Sequence, residues 1–164
     1  MNGLEIERKF LIKMPDEKQL SALERVAVAE IEQTYTTKGI RLRKWQEAGK
    51  TIYIKTEKKQ VSDMTRIETE SEITEEEYNT LFSFADPERK TLVKTRYRYP
   101  FCGKLIEIDV FPFWKKQAFC EVELESEKET FSLPDFIEVI REVTSEKEYR
   151  NHALSKKIPQ EENF

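Results

Sequence analysis

The chain is poor in the residues that build the commonest metal and nucleophile sites. It has one histidine, two cysteines and four glycines in 164 residues. Cys102 and Cys120 lack the spacing of metal ligands and read as free, at least half-buried thiols. His152 stands alone in a late segment of mixed polarity and reads as a surface or packing residue, with catalysis the minor alternative. No apolar run is long enough to cross a membrane, and charged residues begin at Glu5, where a secretory segment would need an apolar core. The net charge is only −4, so no global field recruits nucleic acid. Neither repeats nor a linker are present. These absences predict a cytoplasmic protein with neither nucleic acid nor membrane as partner; a homodimer is left open.

What the chain has in excess is charge. Asp, Glu, Lys and Arg make up 37% of it, against about a quarter in ordinary domains. Ten Phe, six Tyr and a regular apolar alternation argue against disorder. Eight segments alternate with period two, at 3–12, 31–37, 39–46, 51–58, 64–73, 92–99, 104–111 and 118–126. Lys38–Gly39, Glu47–Lys50 and Pro100–Gly103 read as hairpin turns, which favours antiparallel pairing. Helical spacing at Leu20, Leu23, Val26 and Ala27 predicts a helix over 16–29. Capping boxes at Thr74/Glu77 and Ser145/Glu148 predict helices over 75–85 and 146–157. A short helix is expected at 127–132, and a frayed tail at 159–164. The expected fold is mainly β with flanking α: one domain, residues 1–158, forming an eight-stranded antiparallel closed barrel. Its lumen is polar and charged, and helices pack outside.

The charge between the apolar positions is sorted by strand. Glu5 and Glu7, Glu107 and Asp109, and Glu121 and Glu123 are acidic pairs. Arg41, Arg43, Lys55, Lys94, Arg96 and Arg98 are basic, and the mixed strands add Lys9 and Arg66. A solvated sheet face interleaves opposite charges, because like charges placed opposite each other destabilise it. Sorting at that cost points to ligands. Carboxylates are hard donors suited to Mg²⁺ or Mn²⁺. The cations outnumber what one monophosphate needs and match a polyphosphate, with arginine forks on phosphate oxygens.

These residues carry a family resemblance in chain order. Glu5-Ile6-Glu7-Arg8-Lys9-Phe10 resembles the Glu-x-Glu-x-Lys signature of the triphosphate tunnel metalloenzymes, the CYTH superfamily. The likeness continues through Gln33-x-Tyr35, Arg41-x-Arg43, Lys55, Arg66-x-Glu68-x-Glu70 and Lys94-Thr95-Arg96-Tyr97. It runs on to Glu107-Ile108-Asp109, Glu121-Val122-Glu123 and Tyr149-x-Asn151-x-x-Leu154. The resemblance implies a tunnel barrel, with 146–157 as a helix plugging one end. It implies divalent metal on Glu5, Glu7, Asp109, Glu121 and Glu123, and triphosphate on Lys9, Arg41, Arg43, Lys55, Lys94 and Arg96, with Arg66 added from the residue pattern. Tyr35 and Lys55 match a pair assisting proton transfer in similar thiamine triphosphatases; Glu68 or Glu70 is the alternative base. Glu32 departs from the pattern, standing where similar bacterial members often have a basic residue. The implied activity is metal-dependent hydrolysis of a triphosphate, inorganic tripolyphosphate first. Thiamine or nucleoside triphosphatase, class IV adenylate cyclase and a non-catalytic polyphosphate or nucleotide sensor are the alternatives.

Overall fold

A computed structural model describes residues 2–164. Nine strands form one antiparallel sheet: β1 (Asn2–Lys13), β2 (Ala27–Tyr35), β3 (Arg41–Glu47), β4 (Lys50–Gln60), β5 (Thr65–Ile73), β6 (Leu92–Phe101), β7 (Lys104–Val110), β8 (Gln117–Leu124) and β9 (Val139–Glu142). The order is β5-β4-β3-β2-β6-β7-β8-β1, and pairing of β5 with β1 closes it into an eight-stranded barrel. The length of β1 explains the ninth strand. Its first residues pair with β5 as far as Ile6, and its later ones, from Phe10 to Ile12, offer the same edge to β9. The β3–β4 and β6–β7 hairpins turn through Ala48-Gly49 and Cys102-Gly103, with φ of 51°, 77°, 50° and 75°. Two successive left-handed residues make the turn whose twist matches that of the strands.

Successive side chains alternate between lumen and exterior. Outside, Ile6, Phe10 and Ile12 of β1, Ile106 and Ile108 of β7, and Cys120 and Val122 of β8 form a buried core with Tyr97. Leu20 of α1 (Glu17–Ser21) and the loop residues Phe131, Leu133 and Ile137 cover it. A second cluster joins Leu11, Leu92 and Phe119 to Phe111, Trp114, Tyr149 and Leu154, and it fills one end of the barrel. On the opposite flank α2 (Glu75–Phe82), capped by Thr74, lays Tyr78 on Tyr53 of β4.

Four expected elements differ. The helix over 16–29 is only α1, capped by the Asp16 side chain; Arg25 takes φ 67°, and β2 already begins at Ala27. Residues 127–132 form no helix. The segment 146–157 is a 3₁₀ turn, Lys147–Tyr149, and a short α3, Asn151–Leu154, broken at Arg150 where ψ is 144°. It closes the barrel end as expected, but its turn has no side-chain cap. The tail is docked rather than frayed: Pro159 accepts from the Trp114 indole at 3.0 Å, and the Glu162 amide donates to Gln117 at 2.8 Å.

Candidate active site

The barrel encloses a cavity of about 1000 Å³, at the upper end of the range for small-molecule sites. Strand order turns the sorted charges of the sequence into two facing walls. β7, β8 and β1 are neighbours and bring Glu107, Glu121, Glu123, Glu5 and Glu7 to one side. β4, β3 and β6, with β2 between the last two, bring Lys58, Arg41, Arg43, Arg96 and Arg98 to the other. β5 lies between the walls and carries both signs, as Arg66, Glu68 and Glu70.

On the acidic wall like charges stand directly opposite each other, Glu7 beside Glu123 and Glu107 beside Glu121. Oxygens of Glu7, Glu107 and Glu121 lie within 4.8 Å of one another. Burial raises the Glu107 carboxyl above its usual range, Arg96 opposes this, and Glu121 and Asp109 add to it. Glu121 is held low, against its burial, by Lys9 at 3.5 Å. Three oxygen donors from three strands, two of them forced into like-charge register, fit a hard divalent cation. Glu5 faces a different partner: burial and a hydrogen bond with Glu68 push it up to about 8. Glu68, despite its own burial, is held well below the usual range by that bond and by the charges of Lys58 and Arg41.

On the basic wall Arg96 grips Asp109 with two bonds of 2.8 and 2.9 Å, and Lys94 reaches the same carboxylate at 3.0 Å. Asp109 is thereby kept ionised against its burial. Arg43 pairs with Glu70, and burial together with Arg41 and Arg96 lowers its guanidinium to about 9. The Nε groups of Arg41, Arg43, Arg66 and Arg98 and the Thr56 hydroxyl are buried without a hydrogen-bond partner. Buried donors left unpaired cost folding free energy. An anion accepting from them would remove that cost.

The structure brings most of the sequence candidates together. Glu5, Glu7, Lys9, Tyr35, Arg41, Arg43, Arg66, Glu68, Glu70, Arg96, Glu121 and Glu123 line the cavity. Lys94 and Asp109 sit behind that lining as a buried pair. Lys55 does not join them. It pairs across the sheet with Leu42, on the outer face, while Ile52, Ile54, Thr56 and Lys58 point inward. The apolar side of this strand starts as the lumen side, so the rule that apolar residues face outward selects the wrong lysine. Lys58 takes the lumen position and bonds Glu68 at 2.9 Å. The Tyr35–Lys55 pair is therefore not assembled. Tyr35 instead accepts from Gln33 at 2.7 Å and packs edge-on against His152, 4.9 Å between centroids, and burial raises its hydroxyl. Glu107 joins the carboxylate group although the resemblance assigns it no ligand role. Glu32 lies outside, beside Lys44.

Comparisons with known proteins agree with this architecture. The CYTH domain model matches residues 3–155. The crystal structure of the inorganic triphosphatase NE1496 is 31% identical, covers 95% of this chain and 97% of that one, and superposes with a TM-score of 0.58. A second crystal structure of NE1496, described as a hypothetical protein, is 32% identical over 94% and 99% with a TM-score of 0.57. A putative adenylate cyclase from Bacillus halodurans shares the fold at 17% identity over 77% and 83%, TM-score 0.50. Among curated proteins no significant sequence match was found.

Proposed function

Because the chain belongs to the CYTH domain family, we propose that it hydrolyses the terminal phosphoanhydride of a triphosphate, with inorganic tripolyphosphate as the leading substrate. The observation that carries this reading is the pair of walls: buried unpaired guanidinium N–H groups face carboxylates crowded in like-charge register. Ion pairs such as Lys9–Glu121, Arg66–Glu7 and Arg96–Glu107 compensate these charges in part, and a polyphosphate with a divalent cation would complete both walls. The inorganic triphosphatase NE1496, 31% identical over nearly the whole chain, supports it.

Glu7, Glu107 and Glu121 would hold Mg²⁺ or Mn²⁺, which when bound polarises phosphoryl oxygens as a Lewis acid. Arg41, Arg43 and Arg96 donate to the equatorial and bridging oxygens, where charge accumulates as the bond to the leaving group breaks. Water attacks the terminal phosphorus in line, and pyrophosphate departs. The proton of that water goes to a β5 carboxylate, for which Glu70 is the better of the two candidates, since Lys58 and Arg41 hold Glu68 well below the usual range and make it a weak base. Tyr35 is unsuited to that task, since its raised hydroxyl stays protonated at neutral pH.

The test is phosphate release from tripolyphosphate by the wild type, Glu107→Gln and Arg43→Ala. Each variant should lose roughly 10- to 1000-fold, the range for one charge-assisted contact of about 1.5–4 kcal/mol. Lys128→Ala, on an exposed loop, should retain full turnover. Equal rates in all four proteins would refute the site.

A further inference from the structure

We propose that Trp45 is a positioning residue that fixes three arginines of the basic wall for the anion, an inference that rests on the proposed triphosphatase reading. Trp45 is inward-facing on β3, toward the open end of the barrel. The guanidinium carbons of Arg43, Arg96 and Arg98 lie 5.5, 5.9 and 5.3 Å from its indole centroid, from two different strands. All three distances fall within the range in which a cation is attracted to an aromatic face. The indole N–H donates to Glu47 at 3.1 Å, and the same oxygen accepts from Arg98 at 2.8 Å. The ring is thus anchored at its edge and surrounded by guanidinium groups.

Those cations repel one another, and Arg43 shows it: after burial, its neighbours Arg41 and Arg96 are what lower its guanidinium. Each is also tied to a carboxylate, Arg96 to Asp109 and Glu107, Arg43 to Glu70 and Arg98 to Glu47, while the Nε groups of Arg43 and Arg98 have no partner. Those carboxylates hold the arginines separately, on β3, β5 and β7, and the indole is a surface shared by all three, which favours the convergence a polyanion needs. Trp45 supplies that surface without adding an anion that would compete with phosphate. The same occupancy argues against Trp45 as a stacking platform for a base or other organic ring, because guanidinium groups already take its surroundings.

The experiment compares wild type, Trp45→Phe and Trp45→Leu by two readouts. Arginine Nε–Hε NMR signals, recorded without ligand, report the guanidinium groups directly. The wild type should show ring-shifted signals, retained in part by Phe and lost in Leu. Steady-state kinetics with tripolyphosphate should show KM raised about tenfold in Leu, from loss of the cation–aromatic contacts. The change in kcat should be smaller, and Phe should restore KM to within about threefold of wild type. Arginine signals unchanged in Trp45→Leu would overturn the proposal, as would shifted signals with an unaltered KM. A KM effect confined to ATP would also overturn it, by making the indole an organic-group platform. A wild type that does not turn over tripolyphosphate would refute the triphosphatase reading instead, while the arginine signals still decide the positioning.

Discussion

Lys58 and Lys55 separate what a residue pattern shows from what a strand register decides. Both lie on β4, but only Lys58 lines the cavity and bonds Glu68. Lys58→Ala should slow tripolyphosphate turnover by roughly tenfold or more, through a lost charge-assisted contact. Lys55→Ala should leave it within about twofold, as expected of a change outside the site. Steady-state kinetics on the two variants checks the register of β4, and the reverse outcome would place Lys55 inside. The carboxylates and arginines were legible because charge sorting by strand is a period-two signal, and it survives any uncertainty in element ends. Lys58 was not legible. Its strand carries Ile52 and Ile54 on the lumen side, so polarity along β4 reverses meaning between the open end and the middle. Nothing in the residue pattern ties Trp45 to the basic wall, and only the arginine distances give it a role.

At the scale of elements, the barrel strands were legible from alternation and from their turn residues, and α2 from the Thr74/Glu77 capping box, while the other helices were not. Leu20, Leu23, Val26 and Ala27 have helical spacing, yet the helix ends before Leu23 and Ala27 already opens β2, since a short apolar set satisfies either period. Ser145 and Glu148 have the spacing of a capping box, yet tertiary contacts override it. Lys9 donates to the Tyr149 carbonyl at 2.8 Å and Arg89 bonds the His152 carbonyl, which shapes the closing segment around the lumen. The α2 helix is a firmer element, sealed by Tyr78. Burial pushes the Tyr78 hydroxyl up to about 12, with Glu32 adding to it. The folded state therefore keeps this proton while the unfolded chain loses it near pH 10. Stability is present below that pH and is lost as pH rises from about 10 to 12. Denaturation of wild type and Tyr78→Phe at pH 8 and pH 11 should show a steeper alkaline loss in the wild type, by up to about 1 kcal/mol once solvent screening at the hydroxyl is discounted. Equal losses would mean that Tyr78 titrates as freely in the fold as outside it.

The whole molecule is a barrel with its apolar cores placed outside and at one end, leaving the interior to charge. Such an interior is expensive. Buried ions pay a desolvation cost that pairing repays only with good geometry, and here several donors stay unpaired while carboxylates face carboxylates. A protein of ordinary stability, about 5–15 kcal/mol, tolerates this where a ligand needs it. The two walls, the cavity and the single plugged end together argue for a linear polyanion entering from the open side. No helix among the described residues is long and apolar enough to cross a membrane. The direct measurement is kcat/KM for tripolyphosphate, pyrophosphate, ATP and thiamine triphosphate at matched free Mg²⁺ or Mn²⁺. The account predicts strict metal dependence, tripolyphosphate as the best substrate, slower ATP hydrolysis and pyrophosphate as a poor substrate. ATP turned over faster than tripolyphosphate, with cyclic AMP among the products, would contradict it and make a ribose hydroxyl the nucleophile in place of water.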